Sequence, residues 1–170
     1  MLDHNLVSKI ETALTHLIGQ DVREIGRAAN MLWIAFGQDV VCVNYKSEKS
    51  IKSRYALHVQ CNWEFFSGHE VFLSQKHFCV PKSGIASCIF DTEPFGNSMF
   101  DEITSKFNHE LKVNPVVVAD FDVCGLTGKL LLRFSNGYSI GIFTDKPEDG
   151  ESWRFFEPGS DKEHLVLFDD

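Results

Sequence analysis

Apolar and polar positions alternate most cleanly from Tyr55 to Glu64. Tyr55, Leu57, Val59, Cys61 and Trp63 are interleaved there with Ala56, His58, Gln60, Asn62 and Glu64. A period of two sends the two sets to opposite faces of an extended strand, one toward a core and one toward solvent. A slip of one residue would bury His58, Gln60 and Glu64, so the register is tightly fixed. The stretch reads as the central strand of the N-terminal half.

The flanking pattern is mixed. Over residues 5–18, Leu6, Ile10, Ala13, Leu14 and Leu17 recur at helical spacing, with Asp3 or Asn5 to cap the start and Gly19 suited to C′. A short strand follows at 22–25. Residues 31–36 and 40–45 pattern as a hairpin around Gly37-Gln38-Asp39, with Leu32, Ile34 and Phe36 opposite Tyr45, Val43 and Val41. Residues 46–54, rich in Lys46, Lys49, Lys52 and Arg54, read as a solvated loop. Further strands are expected at 71–73 and 77–80, ended by Pro81, and 82–96 looks irregular.

A second helix is expected over 98–112. Ser98 and Asp101 resemble a capping box, and Phe100, Ile103, Phe107 and Leu111 form the apolar stripe. Asn114-Pro115 stops it. The last third reads as a meander: a strand at 116–123, a turn at 125–128, and strands 129–134 and 138–143 around Ser135-Asn136-Gly137. A three-residue loop with Gly137 left-handed sets Phe134, Leu132 and Leu130 opposite Tyr138, Ile140 and Ile142, and is preferred to a two-residue turn. An acidic loop at 145–152 and short strands at 153–156 and 164–168 complete the chain.

These elements predict an α+β fold: two antiparallel β-meanders with an N-terminal helix and a central helix packed on the sheets. The meanders resemble each other. Each has a strand ending in Phe (Phe36, Phe134), a return strand, a charged loop and a Trp-x-Phe strand (Trp63 to Phe65, Trp153 to Phe155). A pseudo-repeat and two unrelated meanders both remain open. Residues 1–170 form a single domain, or two similar halves, 1–81 and 115–170, joined by the irregular segment and helix 98–112.

Composition narrows the function classes. An apolar fraction of 44% with 15 Phe argues for a packed globule. A formal charge of -8 disfavours nucleic acid and anionic membrane surfaces and suits a basic protein partner. No apolar run approaches the ~20 residues of a membrane span, and the first residues lack a signal-peptide pattern, so a cytoplasmic setting is expected. Five cysteines without a C-x-x-C pair argue for reduced thiols.

Motifs for chemistry fail on inspection. His69-Glu70 is not followed by His at 73, and Gly125-Leu-Thr-Gly128-Lys129-Leu130 is too short for a phosphate loop. His77 and Cys79 lack a second ligand pair, so neither a metal site nor another cofactor is expected. Alternation parts His58 from Cys61, which denies the thiol a base. Asp120 and Asp122, on one strand face with Val116 and Val118, read as solvation at a strand end. No catalytic residue is assigned. The best binding candidates are the polar set His58, Gln60, Asn62 and Glu64, facing Arg154.

The run Tyr55-Ala-Leu-His-Val-Gln-Cys-Asn-Trp63 resembles an uncharacterised bacterial family with a Y-A-L-H-x-Q-x-x-W-R element followed by a strand and a proline. The pattern from Gly128 to Phe134, Asn136-Gly137 and Glu151-Ser-Trp-Arg154 is similar to that family's second half. This chain departs from it at Glu64, where the family often has Arg, and in the segment 74–81. The resemblance implies no activity. Small acidic α+β proteins of this kind also resemble immunity proteins of toxin systems. Two function readings follow. One is a non-enzymatic interaction module, such as an immunity-type inhibitor of a basic toxin or a homodimer. The other is a small-molecule-binding protein or enzyme with a pocket between the meanders.

Overall fold

The computed structural model describes residues 3–43, 46–144 and 150–169. In chain order the elements are α1 (His4–Thr15), β1 (Val22–Ala28), β2 (Met31–Val43), β3 (Lys49–Val59), β4 (Asn62–Ser67) and β5 (Glu70–Ser74). A 3-10 helix (Gln75–Cys79), α2 (Ser87–Thr92) and α3 (Met99–Val113) follow. Strands β6 (Val118–Val123), β7 (Leu130–Phe134), β8 (Tyr138–Phe143), β9 (Gly150–Phe156) and β10 (Leu165–Asp169) complete the fold. The architecture is α+β, with two five-stranded antiparallel sheets ordered β1-β2-β3-β9-β10 and β5-β4-β8-β7-β6.

Read from the other edge, the second order is β6-β7-β8-β4-β5, which is the first with β1 to β3 advanced by five and β9 and β10 set back by five. Each half of the chain therefore gives three strands to one sheet and two to the other. Side-chain register follows the same correspondence. Leu32 and Ile34 lie opposite Val59 and Leu57, as Leu130 and Leu132 lie opposite Ile142 and Ile140. Both first strands carry a bulge at the same place, between Val22 and Glu24 and between Val118 and Asp120. Helix α1 precedes one succession of five strands and α3 the other, so helix 98–112 heads the second succession as well as joining the halves.

The opening alternation is real, but its stretch is not one strand. The chain leaves the first sheet after Val59 and enters the second at Asn62. The amides of Gln60 and Cys61 both donate to the Ser152 carbonyl, at 2.8 and 3.2 Å, which pins the crossing. Alternation survives it because both sheets bury the same side of the chain. Leu57, Val59, Cys61, Trp63 and Phe65 all lie in one buried cluster with Leu130, Leu132, Ile140, Ile142 and Trp153. Ile10 and Leu14 of α1 and Phe100 and Leu111 of α3 complete that core.

Several local expectations give way. Gly37-Gln38-Asp39 is a bulge inside the 13-residue β2, because Gly37 at φ +77 absorbs the irregularity without reversing the chain. Phe36 consequently pairs with Tyr55, Val41 with Ile51 and Val43 with Lys49; Tyr45 lies outside the described residues. The basic segment expected as a loop is largely the start of β3. Beyond the bulge neither β1 nor β9 flanks these strands, so they form a two-stranded ribbon. Polar side chains suit it because solvent reaches much of its surface.

Residues 77–80 are not a strand. The Ser74 amide donates to His77 Nδ1 at 3.0 Å, closing a capping box that turns the chain into the 3-10 helix. Short helix α2 interrupts the segment expected to be irregular. Helix α1 ends at Thr15 with His16 as C-cap, so Gly19 does not occupy C′. Of the expected acidic loop, residues 145–149 lie outside the described residues and Gly150 begins β9. Ser98 and Asp101 do form the capping box of α3, and Gly137 is left-handed at φ +83 in the β7–β8 loop.

Helix α3 also shields an edge. Asn108 accepts from the Ile25 amide at 2.9 Å and donates to its carbonyl at 2.8 Å, pairing with the open side of β1 as a strand would.

Candidate functional site

The five candidate residues divide between the two sheets. His58 and Arg154 are cross-strand partners in the first, within a row that reads Gly26, Trp33, His58, Arg154, Val166 across all five strands. Trp33 lies flat on its neighbour: a Cβ at Gly26 would stand 2.2 Å from the indole. His58 packs edge-on to Phe156 with centroids 4.8 Å apart, and His164 stacks on the same ring at 4.5 Å.

Burial pushes the His58 pKa down, and the nearby Arg154 charge pushes it further, with Glu151 opposing. Arg154 is occupied, donating through Nε to Glu151 at 3.0 Å and lying 3.3 Å from His164 Nδ1. The outcome is an aromatic and cationic stripe whose charges are already matched.

Asn62 and Glu64 stand on the second sheet, and Gln60 is exposed at the crossing between the two. A pocket between the meanders walled by all four polar residues is therefore not formed. The space between the sheets holds the core instead. Asn62 and Glu64 line a separate cleft of about 690 Å³ at the end of the second sheet, with Asn30, Trp63, Lys76 and Phe143. Beside it Phe143 lies over Gly141, where a Cβ would approach its ring to 2.8 Å.

Trp63 is 1% exposed, yet its indole N–H has no partner among the described residues. Its counterpart Trp153 donates to the Gly128 carbonyl at 3.4 Å. Aligning Leu32 with Leu130 puts Asn30 at the position of Gly128. The reason for the difference is turn length: β1 and β2 are joined by Ala29 and Asn30 alone, whereas residues 124–129 join β6 and β7.

Other chemistry-bearing groups resolve into structure. Asp120 and Asp122 both pair with Arg133, Asp120 at 2.9 Å, so they are a surface ion-pair network. The bulge before Asp120 also breaks the expected shared face: Val118 is buried and Asp120 exposed. Cys61 is buried while His58 faces away from the core. No group of three or more His, Cys, Asp or Glu converges on a metal position among the described residues. No helix among them is long and apolar enough to cross a membrane.

Two features were not read from the sequence. Cys124 sits exposed in the β6–β7 turn. The Thr127 hydroxyl and the backbone amides of Leu126 and Thr127 hold its thiol below the usual range. The orphaned Trp63 N–H is the other, visible only by comparing two turns almost a hundred residues apart. No family model, curated protein or solved structure matches the chain.

Proposed function

We propose that the protein is a non-enzymatic interaction module whose binding element is the ribbon formed by the outer ends of β2 and β3. One observation carries this reading: beyond the polar pair Asp39 and Ser53, the core-facing side of the first sheet ends in an uncovered apolar strip. Tyr55 is buried at its inner end, whereas Ile51, Val41 and Val43 are 70%, 66% and 56% exposed. The opposite side of the ribbon is engaged, since Cys42 packs on Gly159 and its thiol donates to the Pro158 carbonyl at 3.1 Å. Three large apolar side chains exposed side by side favour a protein partner.

On the face of this strip Lys49 pairs with Val43. The fitting counter-surface is thus apolar with a carboxylate rim. The net charge of -8 favours a partner that is basic overall, so the two terms act at different ranges. Masking a toxin, as an immunity-type inhibitor does, is one form such an interaction takes. The five free cysteines support a reducing, cytoplasmic setting.

Co-purification of tagged wild type and of a Val41→Asp/Ile51→Asp double variant from the native host tests the reading. The expected result is a stoichiometric protein partner held by the wild type and lost by the folded variant. Equal recovery by both, or no partner with either, overturns it.

A further inference from the structure

We propose that the cavity at the foot of the β2–β3 ribbon, lined by His16, Gln20, Gln38, Arg54 and Tyr55, binds a phosphate group, free or carried as a monoester. Its volume is about 330 Å³, within the range of small-molecule sites. Four parts of the chain meet there: the end of α1, the connection to β1, the bulge in β2 and the middle of β3. The Gly37 amide donates to the Asp21 carbonyl at 2.8 Å, which ties the bulge to the connection. Gly37 also supplies space. A Cβ there would stand 2.7 Å from Gln20 Oε1 and 3.3 Å from Arg54 Cβ, so these two side chains meet over a bare α-carbon.

Tyr55 joins the other members. Arg54 Nε donates to its hydroxyl at 3.2 Å. The His16 ring lies within 11° of parallel to the tyrosine ring, with centroids 6.4 Å apart. Tyr55 is 5% exposed and stacks on Phe155, so packing of the ring fixes where the hydroxyl stands. That hydroxyl accepts from Arg54 and has no acceptor for its own proton among the described residues. The Arg54 terminal nitrogens and the side chains of His16, Gln20 and Gln38 have no hydrogen-bond partner there either. The last carbonyls of α1 accept from the amides of His16, Leu17 and Ile18, so the imidazole is not spent on capping them.

All five side chains offer a donor and none is a carboxylate, on a chain of net charge -8. Glu157, whose charge acts on Arg54, is itself held by Lys162 Nζ at 2.5 Å. A guanidinium fork with a hydroxyl, an imidazole and two amides outnumbers the about four lone pairs that a carboxylate presents. The set matches the three free oxygens of a phosphate monoester, which Arg engages through two parallel bonds. A second groove of about 410 Å³ shares His16 and Tyr55 with the cavity, and Phe155, Phe156 and Leu165 form part of its wall. The organic part of an ester therefore has an apolar surface to meet. Val41, Val43 and Ile51 lie farther out on the ribbon, so this inference does not rest on the proposed interaction.

Inorganic phosphate, phenyl phosphate and acetate are each titrated into ¹⁵N-labelled protein at neutral pH and constant ionic strength, following the backbone amides of Gly37, Gln38 and Tyr55. Saturable shifts are expected with phosphate at millimolar concentration, and weaker binding with acetate. Arg54→Gln, at an exposed position, should weaken phosphate binding by about tenfold or more. Tyr55→Phe, which keeps the ring, should weaken it by about threefold or more. Arg133→Gln, which removes the same charge from the other sheet, should leave it unchanged, and the spectra of all three variants report that the fold is kept. Phenyl phosphate binding more tightly than phosphate identifies the ligand as an ester; equal or weaker binding identifies the free ion. The proposal is overturned if neither phosphate gives a saturable shift. Acetate matching phosphate, or equal weakening by Arg54→Gln and Arg133→Gln, overturns it as well.

Discussion

Arg27 binds the segment after β5 to the first sheet. Its side chain is 6% exposed, donates to the Pro94 carbonyl at 2.8 Å and to Asp101 at 3.1 Å, and lies within 5.1 Å of the Phe78 and Phe95 ring centroids. Arg27→Ala removes the buried guanidinium with its charge-assisted hydrogen bond, while Asp101 keeps those from Ser98, and should cost about 2–3 kcal/mol in urea unfolding. Arg133→Ala, at an exposed pair, should leave the urea midpoint nearly unchanged in the same assay. Cys124 is expected to react first with a thiol reagent at neutral pH, ahead of exposed Cys79 and Cys88, because its lowered pKa supplies more thiolate. Equal labelling rates for the three would remove the significance of the turn around it. The His58 pKa is lowered in the fold, so folding favours the neutral ring. That contribution is full above the unfolded value of 6.5 and is lost as pH falls from there through the folded value. Melting temperatures across that window should fall less steeply for His58→Gln than for wild type.

At the scale of elements, the two tryptophan strands make a matched comparison. Trp153→Phe removes an indole donor and leaves the Gly128 carbonyl without it, whereas Trp63→Phe removes a donor that had no partner. In ligand-free protein the first should therefore be the more destabilising, by about 1 kcal/mol in chemical denaturation. A larger penalty at Trp63 would mean its N–H is satisfied in solution. Elements whose ends are set by local chemistry were legible: the cap at Ser98, the stop at Asn114, the left-handed Gly137. Elements whose ends depend on a partner strand were not. Gly37-Gln38-Asp39 has the composition of a turn, and only the pairing of Phe36 with Tyr55 makes it a bulge. The basic run before Tyr55 looks like a loop because a ribbon without flanking strands has no side that must be apolar throughout.

At the scale of the whole molecule, periodicity gave which side of each strand is buried but not which strand lies beside it. Val59, Cys61 and Trp63 keep one rhythm while the chain changes sheets, since the rhythm records burial and both sheets bury into one core. The same limit explains the split of the polar set. His58 and Glu64 share a parity in the sequence and lie on different sheets because the crossing falls between them. The division of candidates between a matched surface stripe and an open cleft follows from that crossing and from the length of one turn.

Strand sharing between the halves also makes the joint between them indifferent to covalent continuity. The contacts that β9 makes with β3, and β8 with β4, are the same whether the two halves belong to one chain or to two. The connection between β5 and α3 keeps the halves of one chain together through effective concentration, and it also packs: Phe78 lies in the core and the Pro94 carbonyl accepts from Arg27. Shortening it should convert monomer into a domain-swapped dimer with the same circular dichroism spectrum, read by light scattering as a doubled mass. A shortened chain that stays folded and monomeric would sink this expectation.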